Sequence, residues 1–329
     1  MALRTDPHGS CTCRVVRDEG LSEFQFDAGR LQELLDGERF FWLDLRRPSL
    51  DELHSLGETF GFHPLALEDT HKFGQRPKLE DYDDFAFLVV YGYAPDEDGL
   101  VEVHCFYSER YLVTVRRDEA PAFTDLHREY VAGRTTTEDP ILLLHRVIDA
   151  LVDSFFPVLE QFDGRLDVIE EEIFRGQQDV LLQEILVMKR RLATLRKVIA
   201  PQRDLFGRMI GGVDELRGMT QEAGRYFRDI YDHLIRLTDM IETHRDLTTS
   251  LVDVYMSTAS NRMNAVMKQL AVIATIFLPL TFIGGFFGQN FGWLVEHVDS
   301  GWAFVVFGLG TQMLAIILLL GLFKRRGWF

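Results

Sequence analysis

Two neighbouring side-chain amides, Gln289 and Asn290, sit in the stretch FFGQNFGW, Phe286–Trp293, among glycines and aromatics and directly after a long uncharged run. Amides offer neutral hydrogen-bond acceptors, a chemistry that suits holding a polar or hydrated species without trapping it. Upstream, Asn264, Met267, Leu270 (or Ala271), Ala274, Leu278, Thr281, Gly285 and Gly288 fall on one face at helical spacing, and that face has no ionisable group. Such a face suits either a pore lining or ordinary helix packing in a membrane. Farther back, Asp149, Asp153, Glu160, Asp163, Asp167 and Glu170 to Glu172 form an acidic stretch that would either attract cations or form a solvated face. His8, Cys11 and Cys13 could touch a soft metal, although a disordered terminus is the simpler reading. No Gly-rich loop ending in Lys-Ser/Thr is present, so nothing points to nucleotide hydrolysis, and no catalytic constellation marks an enzyme.

These residues need elements to carry them. Leu270 to Gly288 and Trp302 to Phe323 hold no charged residue, and each is long enough to cross a hydrocarbon core of about 30 Å as a helix. Buried core helices are usually shorter, so two transmembrane helices are expected. Lys324, Arg325 and Arg326 follow the second run at once, while Gln289 to Gly301 has no Lys or Arg. The positive-inside rule then leaves both termini cytoplasmic. The start of the chain has no signal-peptide-like apolar segment, and the chain's three cysteines, Cys11, Cys13 and Cys105, are too few for a disulfide framework, in keeping with a reducing compartment. After residue 262 four basic residues face two acidic ones, so the first 262 residues carry −18 of a chain whose net charge is −16. That acidity argues against a nucleic-acid partner.

The expected divisions are a cytosolic α/β domain over residues 1–135, long cytosolic helices over 136–215, a stalk helix continuing into the first span over 216–288, an extracytoplasmic loop over 289–301, a second span over 302–323 and a basic tail over 324–329. Phe85 to Tyr93 reads as an apolar strand, Val101 to Tyr107 alternates, and Tyr111 to Arg116 pairs back across a turn at Ser108 to Arg110. Ser49 and Glu52 have capping-box spacing. Ile141 to Phe174 and Val180 to Phe206 read as two long helices. Between Gly224 and Pro279 there is no other Gly or Pro, which predicts one helix of roughly 80 Å. Two spans per chain cannot enclose a pore, so any passage through the membrane requires an oligomer.

SNRMN (Ser260 to Asn264), TIFLPLTFIGGFFGQN (Thr275 to Asn290) and the closing KRRGWF resemble the CorA family of divalent-cation channels, whose hallmark is Gly-Met-Asn at the end of the first span. YFRDIYDHLIRLTD (Tyr226 to Asp239) and HPLALEDTHKFGQRPK (His63 to Lys78) look like its stalk and cytosolic signatures. The resemblance implies a funnel-shaped homopentamer in a bacterial or archaeal inner membrane: an α+β cytosolic domain, long stalk helices and a two-helix transmembrane hairpin. Carried over by position, the pore face would be Asn264, Met267, Leu270, Ala274, Leu278, Thr281, Gly285 and Gly288, narrowest at Met267 and Leu270. Gly288, Gln289 and Asn290 would form the selectivity filter. Asp69 and Asp229 match the family's pair that binds a regulatory Mg2+ between neighbouring subunits. Gln289 stands where magnesium members have Met, and zinc-transporting relatives of the ZntB type also vary there. The loop acids nearest the filter, Glu296 and Asp299, are candidates for attracting cations.

The function so implied is passage of Mg2+, with Co2+ or Ni2+, through a pentameric pore gated by intracellular Mg2+. Mg2+ keeps its waters, so a ring of Asn290 amides with carbonyls freed by Gly288 suits a hydrated ion. The alternatives are a zinc transporter of the ZntB type, proton-coupled or not, and a membrane-anchored sensor or scaffold that conducts nothing.

Overall fold

The structure, a computed structural model, describes residues 11–17, 20–37, 39–94, 99–131, 139–175, 180–289, 291–297 and 300–328. It divides into two units, Met1–Val252 and Asp253–Phe329.

The first unit opens with β1 (Thr12–Arg17), β2 (Gly20–Gln25), α1 (Ala28–Asp36), β3 (Phe41–Arg46), α2 (Leu50–Phe60) and α3 (Pro64–Lys72). It continues with β4 (Lys78–Tyr82), β5 (Phe85–Ala94), β6 (Gly99–Tyr107), β7 (Tyr111–Arg116) and α4 (Pro121–Val131). The seven strands form one sheet in the order β2-β1-β3-β7-β6-β5-β4. Every neighbouring pair is antiparallel except β3 and β7, which run parallel. The hairpin of β6 and β7 and the apolar strand β5 stand where the sequence predicts them, and Ser49 with Glu52 forms a complete capping box at α2.

β5 and β7 are buried almost end to end, as strands covered on both faces must be. On one face Phe62, just after α2, stacks on Phe106 at 4.1 Å and tilts against Phe85 at 4.9 Å. The other face packs on helices α5 (Pro140–Asp153) and α7 (Leu181–Ile210). There Gly92 leaves no room for a side chain, since a Cβ would stand 2.7 Å from Leu151 Cδ2.

The segment expected as one helix from Ile141 to Phe174 is two, α5 and α6 (Phe156–Arg175). Ser154 explains the break. Its Oγ accepts from the Tyr93 N–H of β5 at 2.7 Å and donates to the Leu151 carbonyl at 2.5 Å, so the chain stops to satisfy a strand. A second correction concerns the N-terminus: Cys11, just before β1, and Cys13, within it, are buried free thiols, their sulfurs 3.9 Å apart. The neighbouring Cys13 sulfur and burial push the Cys11 thiol up, away from the thiolate a soft metal needs. His8 lies outside the described residues.

α8 (Ala223–Phe287) is one unbroken helix of 65 residues that runs through Pro279 and belongs to both units. The second unit adds α9 (Gly292–His297) and a second apolar helix built from a turn, α10 (Gly301–Ala303), a π-helical stretch at Phe304–Gly310, and α11 (Thr311–Arg325). The last part of α8 and the stretch Gly301–Arg325 are both apolar enough to cross a membrane. The architecture is therefore an α+β sheet unit, long helices and two apolar helices toward the C-terminus.

Candidate metal centre and ion pathway

α3 is a short helix set by His63 and Pro64: His63 Nδ1 accepts from the Leu65 N–H at 3.2 Å, and Pro64 supplies the first helical residue. Its Asp69 is half-buried and accepts from Lys78 Nζ at 2.6 Å; the same ammonium reaches Glu80 Oε1 at 2.7 Å. Glu68 pairs with Lys72. Behind α3, Thr70 Oγ1 is 3.0 Å from His104 Nδ1, and Glu102 holds His104 Nε2 at 2.8 Å while capping the Gly74 and Gln75 N–H groups. Asp69 is thus supported from behind and shares a cation of its own chain with Glu80. A metal there must compete with Lys78.

Asp229 is different. It lies exposed on α8, its carboxylate 3.9 Å from His233 Nε2 one turn on. The structure gives Asp69 and Asp229 no shared ligand cluster among the described residues; instead it brings Asp229 beside Asp149 and Asp153 of the acidic stretch and His233, which the sequence did not single out. His233 Nδ1 is 2.9 Å from Asp153 Oδ1 and 3.9 Å from Asp149 Oδ1, and the ligand atoms of these three lie within 4.8 Å of one another. α5 presents Asp149 and Asp153 four residues apart, and α8 presents Asp229 and His233 four residues apart, so each helix turns a ligand pair toward the other.

Asp149 Oδ1 and His233 Nδ1 are buried with no aligned hydrogen-bond partner. Burial, then the Asp153 charge, pushes the Asp149 carboxyl up to about 6. A buried acceptor without a donor is costly, and a divalent cation would satisfy both orphaned atoms at once. Carboxylate oxygens suit Mg2+, and the imidazole nitrogen admits Co2+, Ni2+ or Zn2+ as well. The spacings Asp149-x-x-x-Asp153 and Asp229-x-x-x-His233 are the signal from which the cluster could have been suspected; nothing local says that the two helices meet.

Along the apolar part of α8, Asn264, Met267, Leu270, Ala274, Leu278, Thr281, Gly285 and Gly288 are all exposed in the single chain. The half-sheltered residues, Val272, Ile276, Pro279, Leu280, Ile283 and Phe287, fall on the opposite face at 3.6 residues per turn. The second apolar helix approaches away from the predicted stripe: Gly284 leaves Gln312 Nε2 3.7 Å from where a Cβ would stand, and Lys268 Nζ lies 5.7 Å over the Trp328 ring. At the end of α8 the Gly288 N–H donates to the Gly284 carbonyl and the Gln289 N–H to Phe286, while the Gln289 carbonyl accepts from Phe291. Gln289 is exposed, as is Glu296 on α9. Asn290 and Asp299 lie outside the described residues.

Residues 37–325 match the family described as CorA-like Mg2+ transporter protein. The chain belongs to the CorA family. The cobalt/magnesium transport protein CorA of Thermotoga maritima is 36% identical over 84% of this chain and 80% of its own. At lower identity, 25%, the zinc transport protein ZntB of Yersinia enterocolitica aligns over 75% of this chain and 74% of its own. The solved structure of the CorA magnesium transporter from Methanocaldococcus jannaschii shares the fold with a TM-score of 0.80, covering 98% of this chain and 99% of that one at 21% identity. Membership of the CorA family makes this a divalent-cation transport protein with two candidate membrane helices.

Proposed function

We propose that the protein is a homopentameric channel for Mg2+, passing Co2+ or Ni2+ as well, in which five copies of α8 surround the pore and intracellular Mg2+ holds it closed. The observation that carries this reading is the exposed stripe from Asn264 to Gly288 on the side of α8 away from its own second helix. One chain leaves that stripe uncovered along its length, and a ring of identical helices covers it without charge. Asn264 offers amide acceptors on the stripe, and the filter at Gly288, Gln289 and Asn290 offers more to a hydrated ion. Thr281 Oγ1 is already bonded to the Phe277 carbonyl at 2.9 Å, so its methyl group and spare lone pairs are what it presents. Glu296 and Asp299 attract cations outside, and both termini are cytoplasmic by the positive-inside rule.

The regulatory ion in this reading bridges Asp229 of one subunit and Asp69 of its neighbour. Asp149, Asp153 and His233 form an intrachain station beside Asp229. Loss of the ions lets the carboxylates repel and the stalks part, widening the pore at Met267 and Leu270.

Zinc transport on the same fold is the second reading, favoured by Gln289 in place of Met and by the imidazole among the carboxylates. Uptake by purified protein in liposomes, comparing Mg2+, Co2+, Ni2+ and Zn2+ with and without a pH gradient, tests both. Mg2+ uptake independent of protons is expected; dominant, proton-dependent Zn2+ uptake would replace the first reading with the second. Asn290→Ala should abolish uptake in an intact pentamer, and near-normal flux would remove Asn290 from the filter.

A further inference from the structure

The chain ends in a turn that reaches back to the long helix. Beyond Arg262, α8 carries a single charged residue, Lys268, and no Asp or Glu occurs between Asp253 and Glu296. No carboxylate of the same stretch can therefore take its ammonium. Lys268 follows Met267 by about 100° around the helix. It stands one turn after Asn264 of the exposed stripe and one turn before Val272 of the half-sheltered face. From that flank a long, flexible side chain can swing toward either face.

What it meets is fixed by the way α11 stops. Gly327 is left-handed, with φ 65°; its N–H donates to the Lys324 carbonyl at 3.2 Å, and the Trp328 N–H donates to the Phe323 carbonyl at 3.0 Å. These two bonds close a Schellman turn, and its usual apolar contact is made by Trp328 stacking on Phe323, with 5.5 Å between ring centres and 11° between planes. Phe323 is the buried side chain of α11, so the Trp328 ring is held in place. Lys268 Nζ lies 5.7 Å over that ring, within cation–π range. Lys324, Arg325 and Arg326 crowd the same end of the helix. An aromatic face is the neutral partner that holds a fourth cation there without adding a carboxylate that would trap a passing metal ion.

We propose that Trp328 is a positioning residue for the ion pathway: the terminal turn holds the Lys268 ammonium against the end of α11 and keeps a positive charge off the constriction beside Met267. The effect on flux rests on the channel reading above; the contact itself does not. Released, the side chain swings toward Asn264 and Met267, and a ring of such cations opposes an entering dication. Trp328→Leu keeps an apolar contact on Phe323 and removes the π face, whereas Trp328→Phe keeps both. The two replacements separate capping of the helix from holding of the charge.

The first measurement is acetylation of Lys268 by a water-soluble acylating reagent on the full chain in detergent, read by peptide mass spectrometry with Lys197 of α7 as the internal reference. Trp328→Leu should speed acetylation of Lys268 about two- to fivefold, the factor that a cation–π contact at an exposed site is worth, and Trp328→Phe should leave most of the protection. Wild-type and Trp328→Leu proteins that react alike at Lys268 overturn the proposal. The second measurement is Mg2+ uptake in liposomes at low and high salt. Trp328→Leu should slow uptake, more at low salt than at high, and adding Lys268→Gln should restore it. A slowed Trp328→Leu protein that Lys268→Gln fails to restore overturns the role on the pathway, since the altered turn and not the freed charge would then be the cause. A wild-type protein that passes no cation removes the channel reading, while acetylation still decides the contact.

Discussion

Asp149 should set the pH behaviour of the proposed intrachain station. Its ordinary value of 3.8 is raised to about 6 by burial first and by Asp153 second. A raised carboxyl means that the metal-free folded state holds the proton more tightly than the unfolded chain. Stability from this group therefore grows as pH falls from about 6 toward 4, and the ionised carboxylate is a cost above 6. A divalent cation needs the ionised form, so its effect runs the other way. Thermal unfolding in detergent should show a Mg2+- or Co2+-induced upward shift at about pH 8 that fades as pH falls through about 6. Asn at position 149 should raise the metal-free melting temperature at neutral pH and reduce the metal-induced shift; an undiminished shift would remove Asp149 from the ligand set. A second residue-scale prediction concerns Asp44 and Arg116, each 1% exposed and paired at 3.0 Å, with Thr114 donating to the same carboxylate at 2.9 Å. Asp44→Ala leaves the guanidinium uncompensated and should cost about 3–5 kcal/mol in chemical denaturation. At this scale the sequence spoke unevenly. Ser49 and Glu52 were legible because a capping box is local, whereas His233 was not, because its meaning depends on which acidic helix it faces.

Helices carry the next level of argument. Gly57 of α2 lies against Leu67 of α3, where a Cβ would come 2.3 Å from Leu67 Cδ1. Gly57→Ala should destabilise the sheet unit by about 1–3 kcal/mol and, by displacing α3, weaken Mg2+ stabilisation through Asp69; a melting curve and a metal-induced shift both equal to wild type would separate α3 from the regulatory pair. On α8, Leu278 lies on the uncovered stripe and Ile276 on the half-sheltered face. Leu278→Cys should make liposome uptake sensitive to a water-soluble thiol reagent, and Ile276→Cys should not; the reverse pattern would turn the pore to the other face. The long helix was readable because neither Gly nor Pro interrupts it before Pro279, and an apolar stripe needs only periodicity to be seen. The break at Ser154 was not, since it exists to serve the Tyr93 N–H of a strand some sixty residues earlier. β1 and β2 escaped for a similar reason: their short, partly polar sequences become strands only by pairing, β1 with β3 and β2 with β1.

For the molecule as a whole, the net charge of −16 is the sum of −18 on the first 262 residues and +2 on the rest. Some of it is internally balanced, as where Arg165 joins Glu184 at 2.5 Å and Glu172 at 3.4 Å. Asp167 and Glu170 on α6 are exposed and have no such partner among the described residues. Neutralising both should slow cation uptake roughly twofold at low salt and leave it nearly unchanged at high salt, where the Debye length shrinks to about 3 Å. Equal slowing at both would mean that the two residues shape α6 and do not gather ions. Chelating Mg2+ should make the assembled protein more sensitive to protease if carboxylate repulsion parts the stalks; an unchanged digestion pattern would leave no regulatory ion at Asp69 and Asp229. The order of elements along the chain has a further consequence, for biogenesis. β3 cannot find its parallel neighbour until β7 is made, yet the sheet is complete by Arg116 and the first uncharged run begins only at Leu270. During synthesis the sheet unit can therefore fold before either apolar helix exists to be recognised for insertion. Folding has a head start over membrane delivery, so a lesion such as Asp44→Ala should be seen first as chains lost on the way to the bilayer.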